Sequence, residues 1–235
     1  RVESELITSF MLAPIDGKPV LHFKPGQYLS IQLNNPELEY QEIRQYSLSD
    51  APNGRDYRIS VKREPQGQVS NLLHDHLQVG DKVDLMPPTG DFFLQASAST
   101  PVVLLSAGVG LTPMLSMLNQ LLSSGHDADI CWLHACERGS LHAFKEDIQR
   151  KRQQHHKLQS RVWYREPSDQ DEQGKDYDFS GTMDLSQVSG LLVPQAHYYF
   201  CGPLGFMQGI KTQLSAAGIP TEQFHYEVFG PHQDL

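Results

Sequence analysis

Two glycine-rich stretches and one arginine–tyrosine–serine strand are the residues of this sequence best suited to chemistry. Ser106-Ala107-Gly108-Val109-Gly110-Leu111-Thr112-Pro113 follows the aliphatic run 102–105. It precedes apolar residues at helical spacing: Met114, Leu115, Met117, Leu118, Leu121 and Leu122. Glycines at a strand–helix junction let backbone N–H groups close on a pyrophosphate, and the helix N-terminus adds a favourable dipole. Thr112 suits an N-cap and Pro113 a first helical position. Pro113 stands where the last glycine of G-x-G-x-x-G would be, so the full dinucleotide fingerprint is absent. Taken alone, the stretch fits a tight turn without a ligand equally well. Cys201-Gly202-Pro203-Leu204-Gly205-Phe206-Met207 forms a second junction of the same kind. Ligands of open α/β sheets collect at the carboxyl ends of strands, so both turns can line one crevice.

Arg44-Gln45-Tyr46-Ser47-Leu48-Ser49 reads as a strand. Alternation puts Arg44 and Tyr46 on one face and Gln45 and Ser47 on the other. An Arg pairs bidentately with a diphosphate, a Tyr offers a stacking surface, and a Ser hydroxyl can bond a ring nitrogen. An amphipathic strand with an exposed Arg is the plainer reading of the same residues. Gly67-Gln68-Val69-Ser70-Asn71 opens a short helix, a further place for an anion.

The elements that must position these groups are of two kinds. Up to about residue 95 the sequence alternates apolar and polar positions, as at 29–33 and 57–61. Pro25-Gly26, Asn53-Gly54 and Pro65-Gln66-Gly67 punctuate it. Short strands at this spacing predict a small antiparallel barrel, interrupted by a helix over 69–76. Ala96-Ser97-Ala98-Ser99-Thr100 reads as a linker, which divides the chain into domains at 1–96 and 101–235. Beyond it, strands at 102–105, 130–134, 162–164 and 197–201 alternate with helices, two of them over 143–153 and 206–216. That alternation predicts a doubly wound parallel sheet, so the expected fold class is β followed by α/β. The acidic segment 166–178 is expected to be an exposed loop, and Trp132 and Trp163 to serve packing.

Composition excludes several partners. The formal charge of -9 repels phosphate backbones and anionic lipid, so neither nucleic acid nor membrane is expected as a partner. No apolar run approaches the roughly 18 residues that cross a bilayer. Cys131, Cys136 and Cys201 form no C-x-x-C pair and are expected as free thiols in a reducing compartment, by default the cytoplasm. His155-His156 and His74-Asp75-His76 do not put two rings on one helical face, so no metal site is expected. The chain opens Arg1-Val2-Glu3-Ser4 without an initiator Met or a leader pattern, and is expected to be a fragment or a processed product.

The order Gly26-Gln27-Tyr28, Arg44-Gln45-Tyr46-Ser47, Gly67-Gln68-Val69-Ser70, Gly108-Val109-Gly110-Leu111-Thr112-Pro113 and Cys201-Gly202-Pro203 resembles the ferredoxin–NADP reductase superfamily across essentially the whole chain. Gln41-Glu42-Ile43, Gly205-Phe206-Met207 and the ending His225-Tyr226-Glu227-Val228-Phe229-Gly230-Pro231-His232 narrow the likeness to the flavohaemoglobins, nitric oxide dioxygenases in which a globin precedes this module. The resemblance implies an FAD-binding barrel followed by an NAD(P)-binding sheet. By it, Tyr28, Arg44, Gln45, Tyr46 and Ser47 hold FAD, with Arg44 at the pyrophosphate, Tyr46 against the flavin and Ser47 at its N5. Gly67, Gln68, Val69 and Ser70 support the FAD phosphates. Gly108, Val109, Gly110, Leu111, Thr112 and Pro113, with Cys201, Gly202 and Pro203, receive NAD(P)H. Val228, Phe229, Gly230 and Pro231 cover the flavin, Val228 standing where some relatives carry Cys. Tyr46, Ser47 and Glu227 are the implied catalytic groups, Glu227 on the flavin–haem path. Haem itself belongs to the globin domain, which is not in this chain.

His134-Ala135-Cys136-Glu137-Arg138 ends the second strand of the sheet. A carboxylate at Glu137 favours a free ribose hydroxyl over a 2′-phosphate, and Arg138 opposes it; NADH is the expected coenzyme, with NADPH as the alternative. Two other functions compete with the haem-reducing module. One is a stand-alone flavin or ferredoxin-type reductase, and the other a flavin-binding module that senses redox state without turnover.

Overall fold

The structure, a computed structural model, describes residues 1–33 and 42–229. Its first half contains β1 (Ile7–Leu12), β2 (Tyr28–Leu33), β3 (Glu42–Ser47), β4 (Tyr57–Lys62), α1 (Gln68–Asp75) and β5 (Asp84–Leu85). β1 pairs antiparallel with β4, and β2 lies antiparallel between β3 and β5. Alternation explains the core: Leu29, Ile31, Ile59 and Val61 turn inward and meet Leu48, Val69 and Leu73 in one buried cluster. A bridge from Leu48 to Ile59 joins the two sheets. The barrel is thus two antiparallel sheets around one core. Val69, Ser70 and Leu73 are the buried face of α1, which starts one residue before the predicted position.

The second half contains β6 (Val102–Ala107), α2 (Leu111–Ser123), β7 (Ile130–Cys136), α3 (Lys145–Gln154), β8 (Leu158–Tyr164), β9 (Phe179–Ser180), β10 (His197–Gly202), α4 (Leu204–Ala216) and β11 (Phe224–Val228). The strands form one sheet in the order β11-β10-β6-β7-β8-β9, every neighbouring pair parallel. The unbroken aliphatic run of β6 follows from burial on both faces. Val102 and Leu104 pack with Leu111, Met114, Leu115 and Leu118 of α2. Val103 and Leu105 pack with Met207, Ile210 and Leu214 of α4. Fully burying each such side chain contributes about 1.5–3 kcal/mol. The chain leaves β6 toward β7 and later returns to β10 on the other flank. The switch point therefore lies between β6 and β10.

Three sequence expectations are corrected. α3 starts at Lys145 instead of 143, because Phe144 takes a left-handed conformation (φ 60°), the one non-glycine positive φ among the described residues. Thr112 is not an N-cap and Pro113 is not the first helical residue. The 3-10 turn Gly108–Gly110 runs straight into α2, and Thr112 donates from within the helix to the Val109 carbonyl at 3.0 Å. The acidic segment 166–178 is exposed only in part. Tyr177 stacks on Tyr164 at 4.9 Å, Asp176 accepts from Lys145 at 2.5 Å, and Asp171 accepts from the Gly139 amide at 3.2 Å.

Trp132 and Trp163 are buried in the two cores flanking the sheet. Cys131, Cys136 and Cys201 are free thiols. The Tyr199 hydroxyl accepts the amides of Gln95 (2.8 Å) and Ala96 (3.1 Å), fastening the segment between the halves to β10. No described helix is long and apolar enough to cross a membrane.

Candidate functional site

A cavity of about 830 Å³ opens where the barrel meets the sheet. β3 is the edge strand of its sheet, so side chains from both of its faces reach this space: Arg44, Gln45, Tyr46 and Ser47 all line it. Tyr28 lies opposite Ser47 in the β2–β3 register, and its hydroxyl accepts from Gln45 Nε2 at 3.2 Å. Gly67, Gln68, Val69 and Ser70 present the N-terminus of α1, which has no side-chain cap among the described residues and no acidic residue in its first turn. Its amides and dipole are therefore free for an anion. From the sheet side come Val109, Thr112, Glu227, Val228 and Phe229. Gly230 and Pro231 lie outside the described residues.

A second cavity of about 740 Å³ runs along the carboxyl ends of the parallel strands, with Gly108, Val109 and Pro203 in its wall. Val109 and Lys62 line both cavities, so the two spaces meet at these side chains. Gly110, Leu111, Pro113, Cys201 and Gly202 do not line either cavity; they build the wall from behind. A Cβ on Gly110 would stand 2.2 Å from the Cys201 carbonyl oxygen, so only glycine lets the turn lie against β10. Leu111 and Pro113 are buried in the first turn of α2, and burial pushes the Cys201 thiol well above its ordinary range. That thiol is a packing group.

The electrostatics of the first cavity are uneven. Ser47 Oγ and Glu227 Oε2 are both buried without a hydrogen-bond partner among the described residues. Such atoms are costly unless something else satisfies them. Burial lifts Glu227 to about 7, which puts a protonatable carboxyl beside the opening at neutral pH. Burial also lifts Tyr46 to about 12, Arg44 pulling the other way, so Tyr46 keeps its proton and offers a neutral ring. Arg44 pairs with Glu42 at 2.5 Å while its side chain stays 53% exposed.

These residues fit a flavin dinucleotide. The cavity offers an arginine and an uncapped helix end for its phosphates, a neutral tyrosine ring, and two orphaned polar atoms for its ring edge. The second cavity fits a nicotinamide dinucleotide by its glycine turn and helix N-terminus.

Sequence reasoning missed Lys62, Ser60 and Tyr226 in the first cavity, and Arg165, Cys136 and Phe206 in the second. The alternation of β4 predicted a strand but not that its far end reaches both spaces. Arg165 is separated from Glu137 by a helix and a strand, yet its Nε donates to that carboxylate at 2.8 Å. Arg138 is not part of the cavity wall.

Residues 4–94 match the family model of the oxidoreductase FAD-binding domain, and residues 104–212 that of the oxidoreductase NAD-binding domain. Among solved structures, the flavohem-like FAD/NAD-binding domain of nitric oxide dioxygenase from Vibrio cholerae O1 biovar El Tor is 43% identical over 98% of this chain and 95% of that one, with a TM-score of 0.89. Flavohemoglobin from Malassezia yamatoensis, determined with bound FAD and heme, is 25% identical; the match covers 98% of this chain and 58% of that one, with a TM-score of 0.84. The cytochrome b5 reductase domain of Ulva prolifera nitrate reductase shares the fold at 20% identity, over 95% of this chain and 92% of that one, with a TM-score of 0.81.

Proposed function

The chain belongs to the flavohaemoglobin-type reductase family, an FAD-binding domain followed by a NAD-binding domain, and we propose that it is an NADH-oxidising flavoprotein module that delivers electrons to the haem of an attached globin domain. Through that haem it supports the dioxygenation of nitric oxide to nitrate. The flavin half is taken as residues 1–96 and the nicotinamide half as 101–235, working in the cytoplasm, where free thiols persist.

Bound FAD would supply the chemistry that no side chain here can, accepting a hydride and releasing electrons one at a time. The chain's own task is positional. Arg44 and the α1 amides of Gln68, Val69 and Ser70 hold the diphosphate by charge-assisted bonds. Tyr28 and Tyr46 give flat apolar surface. Ser47 Oγ holds a hydrogen bond at the ring edge, which satisfies an otherwise orphaned atom. Gly108, Val109, Gly110, Leu111, Thr112 and Pro113 seat the nicotinamide coenzyme at the α2 N-terminus, with Cys201, Gly202 and Pro203 closing the far side. Val228 and Phe229 exclude water above the flavin place, and Glu227, protonatable at neutral pH, holds or gives up a proton there. Gly230 and Pro231 continue that cover in the proposal.

One observation carries this reading: Val109 and Lys62 belong to the walls of both cavities, so the two spaces adjoin and their occupants would face each other there. Reactants held in such contact gain the advantage of proximity. Anaerobic mixing of the FAD-loaded protein with NADH tests it. Rapid bleaching of the yellow flavin band is expected. A spectrum unchanged by excess NADH and NADPH overturns the proposal. A globin supplied as acceptor should then show its ferric haem band shift to ferrous.

A further inference from the structure

Asp50 lies three residues beyond Ser47, in the loop that leaves β3, and it is gripped from both halves of the molecule. From the sheet side, Asn119 Nδ2 donates to Asp50 Oδ1 at 2.7 Å, and Ser116 Oγ donates to the Asp50 carbonyl at 2.7 Å. From the barrel side, Arg58 Nη1 pairs with Asp50 Oδ2 at 3.3 Å. Arg58 also donates to the Ser49 carbonyl and, at 3.2 Å, to Ser49 Oγ. Its guanidinium sits 5.4 Å above the ring of Phe144, the strained left-handed residue ahead of α3. Ser49 Oγ bonds Ser60 Oγ at 2.8 Å, and Ser60 lines the first cavity.

On α2, Thr112, Ser116 and Asn119 follow one another at i, i+4 and i+7 and so share one face. Thr112 touches the first cavity, and Ser116 and Asn119 hold Asp50. One rigid helix thus carries the proposed nicotinamide seat at its N-terminus and the Asp50 grip one and two turns later. The segment 47–50 is just as short a link, and Leu48 and Ser49 within it are fully buried.

We propose that Asp50 is a positioning residue which, through Asn119, Ser116 and Arg58, sets the distance between the two dinucleotide seats. The inference rests on the flavin–nicotinamide reading above and goes beyond it. Neither seat contains Asp50, so its loss changes how the seats face each other and not what each one binds.

The variants are Asp50→Ala, Asn119→Ala and Asp50→Asn, the last retaining an acceptor for Asn119. In FAD-loaded protein at saturating NADH, Asp50→Ala and Asn119→Ala are expected to slow flavin reduction by roughly tenfold to a hundredfold, the scale of a misplaced near-attack geometry. FAD content and NADH affinity should stay within about twofold, the split expected when only the reacting geometry is lost. Asp50→Asn should recover most of the rate. In cofactor-free protein, hydrogen exchange should show residues 47–51 and 111–119 losing protection together in Asp50→Ala, while β7 and β8 keep theirs. Wild-type reduction rates in Asp50→Ala, or loss of FAD and of protection across the whole chain, overturn the proposal. Wild-type protein that NADH does not reduce defeats the functional reading instead, and the exchange pattern then decides on Asp50 by itself.

Discussion

Glu137 accepts a hydrogen bond from Arg165 Nε at 2.8 Å across the mouth of the second cavity, one residue past the end of β7. In parallel sheets of this kind an acidic residue at that strand end meets the ribose hydroxyls of the coenzyme and repels a 2′-phosphate. The carboxylate also holds Arg165, a cation of that wall that a 2′-phosphate could recruit. Glu137→Ala removes the repulsion and releases Arg165 from its 2.8 Å bond, leaving it only the more distant Glu166 at 4.0 Å among the described residues. It is expected to raise kcat/KM for NADPH relative to NADH about tenfold, the worth of one charge-assisted hydrogen bond. Adding Arg165→Ala should cancel the gain. Steady-state kinetics with both coenzymes check this, and a ratio unmoved in the single variant removes the pair from coenzyme choice.

Arg44 is half exposed and paired with Glu42, and an ion pair that exposed contributes little to stability. Handing the guanidinium from Glu42 to a diphosphate therefore costs the fold little. Arg44→Ala is expected to purify with much less FAD, because the phosphates lose their charge-assisted partner. Cofactor-free stability should change by no more than about 0.5 kcal/mol. The ratio of flavin to protein absorbance reads the first quantity and urea unfolding the second. Full FAD occupancy in the variant would take Arg44 out of the phosphate seat.

Glu227 ionises at about 7 in the folded protein because it is buried. In the unfolded chain a glutamate ionises near ~4.3. Between those two pH values the folded state holds a proton that the unfolded state has released, so folding stability falls as pH rises. The contribution is whole below the unfolded value and lost once pH has passed through about 7. Across pH 5 to 8 the loss amounts to at most about 3 kcal/mol. Glu227→Gln cannot ionise and should flatten this slope in cofactor-free protein. Urea midpoints at several pH values test it; parallel curves for both proteins would show that Glu227 titrates as it does in water.

The parts of this molecule readable from sequence are those whose signal is local. The aliphatic run of β6 announces a strand buried on both faces, and the glycines after it announce a close backbone approach. Arg44, Gln45, Tyr46 and Ser47 were legible as a group because they are adjacent. Which face each occupies was not decisive, since an edge strand lets both faces reach the cavity. Arg165 and Lys62 were not legible, because the sheet order and barrel closure bring them to the cavities from far along the chain. Tyr177 and Asp176 were hidden differently. A charged segment reads as solvated, and only the partners Tyr164 and Lys145 show that part of it is pinned. The start of α2 was misplaced by a 3-10 turn, which has no strong composition signal of its own.

Gly110 tests the wall between the two seats. A methyl there would lie 2.2 Å from the carbonyl oxygen of Cys201, 2.5 Å from its carbon and 2.8 Å from Gly202 Cα. All three are backbone atoms at the end of β10, which is laddered to β6 from His197↔Val102 to Cys201↔Ser106 and cannot retreat by rotating a side chain. Relief requires prising β6 from β10 or lifting the turn away from the strand. Either move displaces the α2 N-terminus. Gly110→Ala is expected to cost about 2 kcal/mol or more, as overpacking of a close-packed interior does. It should also weaken NADH binding at least tenfold, the factor that follows when about 1.4 kcal/mol of binding is lost. FAD content should hold, since the first cavity meets this turn only through Val109 and Thr112. Gly190→Ala, where an added Cβ meets nothing within 4 Å, is the stability control. Thermal unfolding and NADH titration measure the two effects. A Gly110→Ala protein as stable as the control, binding NADH as tightly as the unsubstituted chain, would mean that the turn and β10 are free to separate, and that the second seat is not held by their contact.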